Sequence, residues 1–254
     1  LADIAAHKAG ILKPRVFAIV ARQDPEVMRV IEAKAADVDA RLLRFGVEWD
    51  AFAQGGRLIV KTMSGADDLP LPALVGPHQI DNAGLAVLAA GFPPISEHDE
   101  IAAQGLANAR LAARLQPLTR GDLSASLRAV GGEVWIDGGH NAHAAQALAR
   151  ALGDMQRRRE AATVAIIGMR ARKDADSFIG ALGGVVVHVI GVPLAEAHLA
   201  PAMIAAICGA FDVASSTAES LEAAMQNAAQ FPAPRVLICG SFWVAAEALK
   251  LESA

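Results

Sequence analysis

The stretch Val134-Trp135-Ile136-Asp137-Gly138-Gly139-His140-Asn141-Ala142-His143-Ala144 constrains the fold more than any other part of the chain. An apolar run ends in an acid, two glycines, a histidine and an amide, and an Ala-rich helical segment follows at once. Strands that lead straight into helices belong to open α/β sheets, where ligands sit beyond the carboxyl ends of the strands. There the strand-to-helix turn aims backbone N–H groups and side chains into a crevice. Gly138 and Gly139 permit a tight turn and the close approach of a backbone or a phosphate. Asp137 offers a metal or hydroxyl ligand and His140 a titratable donor. Capping of the helix by Asp137 and Asn141 is the competing reading, but capping needs neither the histidine nor the paired glycines.

The rest of the C-terminal part repeats this alternation. Strands are expected at Glu133 to Asp137, Thr163 to Gly168, Val185 to Val192, a short Phe211 to Ala214, and Arg235 to Cys239, separated by segments of helical spacing. Near-continuous apolar strands between helices mark a mostly parallel sheet covered on both faces. Its carboxyl edge would gather Asp137, His140, Lys173, Asp174 and Ser241. In the N-terminal part, Val16 to Ala21 reads as a strand, and a helix capped at Asp24-Pro25-Glu26 follows. Arg41 to Phe45 is a further strand. Glu48 to Phe52 and Arg57 to Thr62 flank Gln54-Gly55-Gly56 as a hairpin, and Pro70 and Pro72 punctuate an extended segment. Helices are expected over Asp81 to Ala90, ended by Phe92-Pro93-Pro94, and over Ser96 to Asn108, with a domain boundary near residue 110.

Composition agrees with a globular α/β chain: 54% of residues are hydrophobic, 20% are charged and 22 are Gly, enough for two cores. The net charge of −4 gives no general attraction for nucleic acid or anionic lipid. The two cysteines, Cys208 and Cys239, sit in apolar surroundings and suggest neither a disulfide framework nor a zinc site. No apolar run reaches membrane-spanning length and no secretory leader is visible, so the cytoplasm is the expected compartment.

The Asp137 segment resembles the D-G-A-H-N-P motif of the folylpolyglutamate synthase/dihydrofolate synthase family, the folate branch of the Mur ligases, with Gly139 for Ala and Ala142 for Pro. Five more of its motifs have counterparts in order. His7-Lys8-Ala9-Gly10-Ile11-Leu12-Lys13-Pro14 is similar to E-K-A-G-I-x-K-P, and Gly76-Pro77-His78-Gln79-Ile80-Asp81-Asn82-Ala83 to G-x-H-Q-x-x-N-A. Ala113-Arg114-Leu115-Gln116 is similar to G-R-L-E/Q, Gly168-Met169-Arg170-Ala171-Arg172-Lys173-Asp174 to G-M-x-x-D-K-D with Arg172 in place of an acid, and Cys239-Gly240-Ser241-Phe242 to T/C-G-S-L/F. The resemblance implies the tail of a P-loop-type central domain over residues 1–109, then a Rossmann-like, mostly parallel-sheet glutamate ligase domain over 110–254. The family's phosphate-cradling G-x-x-x-x-G-K-[ST] is absent, and the chain does not begin with Met. It is therefore expected to be the C-terminal portion of a longer enzyme and inactive alone.

The family's activity is ATP-dependent addition of L-glutamate to dihydropteroate or to (poly)glutamylated tetrahydrofolate through an acyl phosphate. The resemblance implies ATP and Mg²⁺, with a monovalent cation as a further candidate, in a monomer that binds neither nucleic acid nor membrane. Residue by residue, Lys8 matches the lysine whose carbamate supports the second Mg²⁺, Asn82 the amide near adenine, and Arg114 the arginine that reaches the nucleotide phosphates. Asp137 matches the acid at the ribose, and His140 the histidine near phosphate and the incoming glutamate, a catalytic candidate with Lys8. Ser241, Lys173 and Asp174 occupy further strand-end turns that would bind glutamate or line the domain cleft. His143, His188 and His198 match no motif.

Other classes are weaker. A stand-alone dehydrogenase would need G-x-G-x-x-G after a strand, and none follows. A cell-wall Mur ligase acting on a UDP-MurNAc precursor shares the architecture, but Gln79 in the G-x-H-Q segment favours the folate branch. A non-catalytic binding module that retains the fold is the remaining alternative.

Overall fold

The computed structural model describes residues 1–91 and 98–253, arranged as two compact units: Leu1–Ala73 with His78–Arg110, and Leu74–Pro77 with Leu111–Ala254. The expected helix stop at Phe92-Pro93-Pro94 and helix start at Ser96 lie outside the described residues.

The first unit runs α1 (Ala2–Ala9), β1 (Phe17–Val20), α2 (Pro25–Val38), β2 (Arg41–Arg44), β3 (Trp49–Gln54), β4 (Arg57–Thr62), β5 (Gly65–Pro70), α3 (His78–Ala90) and α4 (His98–Asn108). β1 and β2 pair in parallel, with α2 as the crossover between them. Pro25 opens that helix with its φ already suited, and Asp24 holds the N-cap position without a side-chain hydrogen bond to the helix, so the expected cap is positional only. β3, β4 and β5 form an antiparallel meander. Its first turn has Gly55 and Gly56 at φ +59° and +77°, the two left-handed positions that a two-residue hairpin needs to match strand twist. The extended segment before Pro70 is the third strand of this sheet. Trp49, Leu58, Val60 and Leu69 pack against Ala83, Val87 and Leu88 of α3 and Leu106 of α4. Gly84 lets α3 lie against the sheet, since a Cβ there would come within 2.4 Å of the Ala51 methyl.

The second unit contains β6 (Gln116–Leu118), α5 (Ala125–Ala129), β7 (Glu133–Ile136), α6 (Ala142–Arg158), β8 (Thr163–Ile167), α7 (Ala175–Leu182), β9 (His188–Gly191), α8 (Pro201–Ala210), β10 (Ser215–Thr217), α9 (Leu221–Ala228), β11 (Arg235–Cys239) and α10 (Phe242–Glu252). The sheet order is β10-β9-β8-β11-β7-β6, parallel throughout except for the edge strand β6, which runs against β7. The α/β fold with a mostly parallel sheet is as expected from the sequence. Alternate residues divide the interior. Val164, Ile166, Val236 and Ile238 face α5, α9 and α10, whereas Ala165, Ile167, Leu237 and Cys239 face α6, α7 and α8. Each large side chain fully removed from water there, Phe178 among them, contributes about 1.5–3 kcal/mol.

One expected strand is displaced. Phe211 closes α8 and Asp212 turns at φ +56°, so the strand forms at Ser215–Thr217 and not at Phe211 to Ala214. The apolar residues of that segment are packing residues: Val213 is buried in the α6–α7–α8 core, and Phe211 lies over Gly180. β9 is also shorter than Val185 to Val192, because Val185 and Val186 are tied by hydrogen bonds to the end of α7.

Candidate active site

At the carboxyl edge of the second unit, Asp137 follows β7 and is 6% exposed. Its carboxylate accepts hydrogen bonds from the Leu115 amide (2.8 Å) and the Gly139 amide (2.7 Å). The first ties down the loop before β6; the second closes the turn before α6. Gly139 passes the tie onward, its carbonyl accepting from the Gly240 amide after β11 at 2.9 Å. One buried acid thus gathers three chain segments. The helix cap itself is Asn141, whose Oδ1 accepts from the Ala144 amide at 2.9 Å. Asp137 is therefore not the cap, and the two readings of this segment separate onto two residues.

The loop held by Asp137 carries Arg114. Its neighbours Ala113 and Leu115 have φ of +55° and +44°, a left-handed conformation that side-chain-bearing residues adopt only when the surroundings enforce it. Enforcement is visible on both sides: the Ala113 carbonyl accepts from Gly138 N–H at 2.9 Å, Ala113 N–H donates to Gln116 Oε1 at 3.1 Å, and Leu115 N–H donates to Asp137. Arg114 is half-buried, with its guanidinium carbon 5.1 Å from the centre of the Phe242 ring.

His140 meets the same ring. Its Nδ1 is 3.0 Å from the Gly138 carbonyl oxygen. A carbonyl only accepts, so Nδ1 carries the proton, and in the neutral imidazole Nε2 is the acceptor nitrogen. The rings of His140 and Phe242 are edge-to-face at 6.0 Å and 64°. Ser241 is buried and caps α10 by accepting from the Val244 amide at 3.2 Å. Asp174 caps α7 through the Ser177 amide at 3.0 Å, and the Ser177 hydroxyl together with that amide holds its carboxyl below the usual range. Lys173 is exposed on the same turn. Cys239, fully buried, has its thiol pushed far above its ordinary range by burial, with the Asp137 carboxylate adding to it, so it stays protonated and inert. Burial raises the Cys208 thiol to about 11.

Two expected site residues belong to the first unit. Lys8 is exposed in the last turn of α1. Asn82 is exposed on α3, its Nδ2 donating to Gln79 Oε1 at 3.1 Å, while Gln79 Nε2 lies 3.0 Å from His78 Nε2. Of the remaining histidines, His143 is exposed, His188 lies 2.9 Å from the Ser216 hydroxyl, and His198 binds the Glu196 carbonyl at 2.7 Å. Sequence reasoning passed over Phe242, which it saw only as the end of a motif, and the strained flanks of Arg114. No pattern of residue types signals either, because both arise from close packing between distant segments.

Among the described residues no three His, Cys, Asp or Glu side chains gather as a metal cage. Nor, among them, is any helix long and apolar enough to cross a membrane.

The carboxyl edge of this doubly wound sheet brings together an arginine, a histidine and two helix amino ends, and residues 126–242 match the family described as Mur ligase, glutamate ligase domain. The curated relatives that the chain matches are folylpolyglutamate and dihydrofolate synthases. The chain is 30% identical over 200 residues to the dihydrofolate synthase/folylpolyglutamate synthase of Mycobacterium tuberculosis, a match covering 72% of this chain and 38% of that protein. The solved structure of Mycobacterium tuberculosis folylpolyglutamate synthase complexed with ADP and AMPPCP superposes with a TM-score of 0.80 at 28% identity, over 100% of this chain and 60% of the other. The bifunctional folylpolyglutamate synthase/dihydrofolate synthase of Yersinia pestis, complexed with AMPPNP and a Mn ion, gives 0.80 at 25% identity over 98% and 56%. The chain thus spans less than two thirds of the length of each of these relatives.

Proposed function

We propose that this chain is the C-terminal part of an ATP-dependent ligase that joins L-glutamate to dihydropteroate, to (poly)glutamylated tetrahydrofolate, or to both. The observation that carries the reading is Arg114, locked between two left-handed residues through Asp137 and set over the ring that also faces His140. Sparsely populated backbone held in place by its surroundings clusters at binding and catalytic sites, which supports a positioned use for Arg114. A carboxylate does not acylate an amine directly, and ATP supplies the phosphorylation that makes its oxygen a leaving group. The work left to this chain is neutralising anionic oxygen and positioning the amine.

Arg114 presents a planar fork suited to phosphate oxygens. His140 takes at Nε2 the proton that the glutamate amine sheds as its N–C bond forms and the C–O bond to the departing phosphate breaks. Asp137 keeps the Arg114 loop and the glycine turn in register, and as an ionised carboxylate with about four lone-pair sites it also suits a ribose hydroxyl. The amino end of α10 at Ser241 and the Lys173 ammonium supply positive potential for glutamate carboxylates, while Asp174 serves mainly as the cap of α7. In the first unit, Asn82 offers its amide to the adenine edge. Lys8, once carbamylated, presents a carboxylate-like group to Mg²⁺. That ion keeps several waters and takes one or two carboxylates beside substrate phosphates, so a single exposed group fits what it asks of this chain.

Steady-state kinetics of the enzyme containing this chain test the reading. Arg114→Ala should raise the KM for ATP about tenfold or more, as expected for loss of a charge-assisted hydrogen bond. Unchanged constants in a folded variant would overturn it.

A further inference from the structure

We infer that Phe242 is the positioning residue of this site, its ring coupling the Arg114 guanidinium and the His140 imidazole into one unit. The inference rests on the reading of the carboxyl edge as the place where nucleotide and glutamate meet. Three independent contacts converge on this ring. Arg114 is 5.1 Å from its centre, within cation–π range, and His140 is edge-to-face with it at 6.0 Å. The backbone of Gly138 also comes so close that a Cβ there would sit 2.3 Å from ring carbon Cε1. The ring is nevertheless 46% exposed and does not belong to the buried cores of the unit. An exposed phenylalanine fitted against a glycine backbone, a cation and an imidazole is placed for its neighbours and not for burial.

The elements explain how the ring gets there. Ser241 caps α10 and fixes its first turn, so Phe242, the first helical residue, projects at the carboxyl edge beside the β7 turn. Gly240, at φ +100°, bonds to the Gly139 carbonyl and sets the spacing between the two turns. Gly138 thus serves the ring as well as the turn. The consequence is that Arg114 and His140 are held together: displacing the ring frees both a phosphate-directed cation and the proton acceptor.

Three variants, Phe242→Leu, Phe242→Tyr and Gly138→Ala, separate this role from packing. In histidine NMR spectra of this chain, the His140 ring protons should carry a ring-current shift in the wild type and in Phe242→Tyr that disappears in Phe242→Leu and changes in Gly138→Ala. In the complete enzyme, Phe242→Leu should raise the KM for ATP about two- to fivefold, the size of an exposed cation–π contact, and Phe242→Tyr should restore it. The effect should vanish in an Arg114→Ala background, since the ring acts through that arginine. Identical His140 shifts in wild type and Phe242→Leu, or effects of Phe242→Leu and Arg114→Ala that simply add, would overturn the inference. If Arg114→Ala alone leaves the kinetics untouched, the reading of the site fails, and the His140 shifts still decide whether the ring orders its neighbours.

Discussion

Two amide donors from segments 22 and two residues away share the Asp137 carboxylate. Asparagine keeps the shape of that side chain but has one acceptor oxygen, so its NH₂ would face a backbone N–H. Asp137→Asn should therefore cost about 1–3 kcal/mol of stability in denaturant melts, the penalty of a buried donor left unsatisfied, and should loosen Arg114. Asn141→Ala is the control. It removes only the cap of α6 and should cost about 1 kcal/mol while leaving ATP affinity as in the wild type. Equal effects of the two substitutions on stability and on nucleotide affinity would show that Asp137 is no more than a second cap. Sequence reading located both residues but could not divide their labour, because the Leu115 amide that decides the matter arrives from another part of the chain.

At the scale of elements, α5 and the end of α10 form a clasp that no motif announced. The Glu252 carboxylate accepts from the amides of Gly121 (2.8 Å), Ser124 (3.0 Å) and Arg120 (3.2 Å) and from the Ser124 hydroxyl (2.8 Å). Burial opposes its ionisation, but these donors outweigh burial and hold the carboxyl below its usual range. A carboxyl whose folded pKa is depressed adds stability that is present above its unfolded pKa and is lost as pH falls through the folded one. Tm measured against pH should show the gap between wild type and Glu252→Gln constant near neutrality and closing only under acid conditions, below the ordinary carboxylate range. A gap that does not depend on pH would mean that the clasp works through shape and not charge. The elements themselves were mostly legible: α2, the Gly55-Gly56 hairpin and the long strands of the second unit carry strong periodicity or turn residues. β6 and β10 did not, being three residues each and held in the sheet by neighbours and not by their own pattern.

At the scale of the whole molecule, the two edges of the second unit's sheet have different duties. At the amino edge Arg235 is 1% exposed, bonded to Glu133 at 2.6 Å, to Gln156 Oε1 at 3.1 Å and to the Arg159 carbonyl at 2.9 Å, which fastens β11, β7 and the end of α6 together. Arg235→Met should cost about 2–4 kcal/mol in denaturant melts by stranding these acceptors, and it should leave the His140 ring shifts unchanged. A coupled change in those shifts would show that the edges communicate. A second prediction concerns the chain as a unit: without the phosphate-cradling loop, the 254 residues alone should release no phosphate from ATP in the presence of folate and glutamate. Release that depends on both substrates would show that the chain is catalytically self-sufficient.

What the sequence determined by itself was local and periodic: apolar strands between amphipathic helices, the Gly55-Gly56 hairpin, and ordered motifs that place Asp137, His140, Lys173, Asp174 and Ser241 at strand ends. Tertiary structure alone decided which of those groups meet. It tied Asp137 to the Arg114 loop, gave capping to Asn141, and set Phe242 against Gly138 within reach of both Arg114 and His140. The physical reason is that hydrogen bonds and ring contacts between segments more than twenty residues apart depend on sheet order and the spacing of neighbouring strands. Here β11 enters between β8 and β7 only after the rest of the sheet is laid down in sequence, so the neighbour that completes the site comes from the far end of the chain.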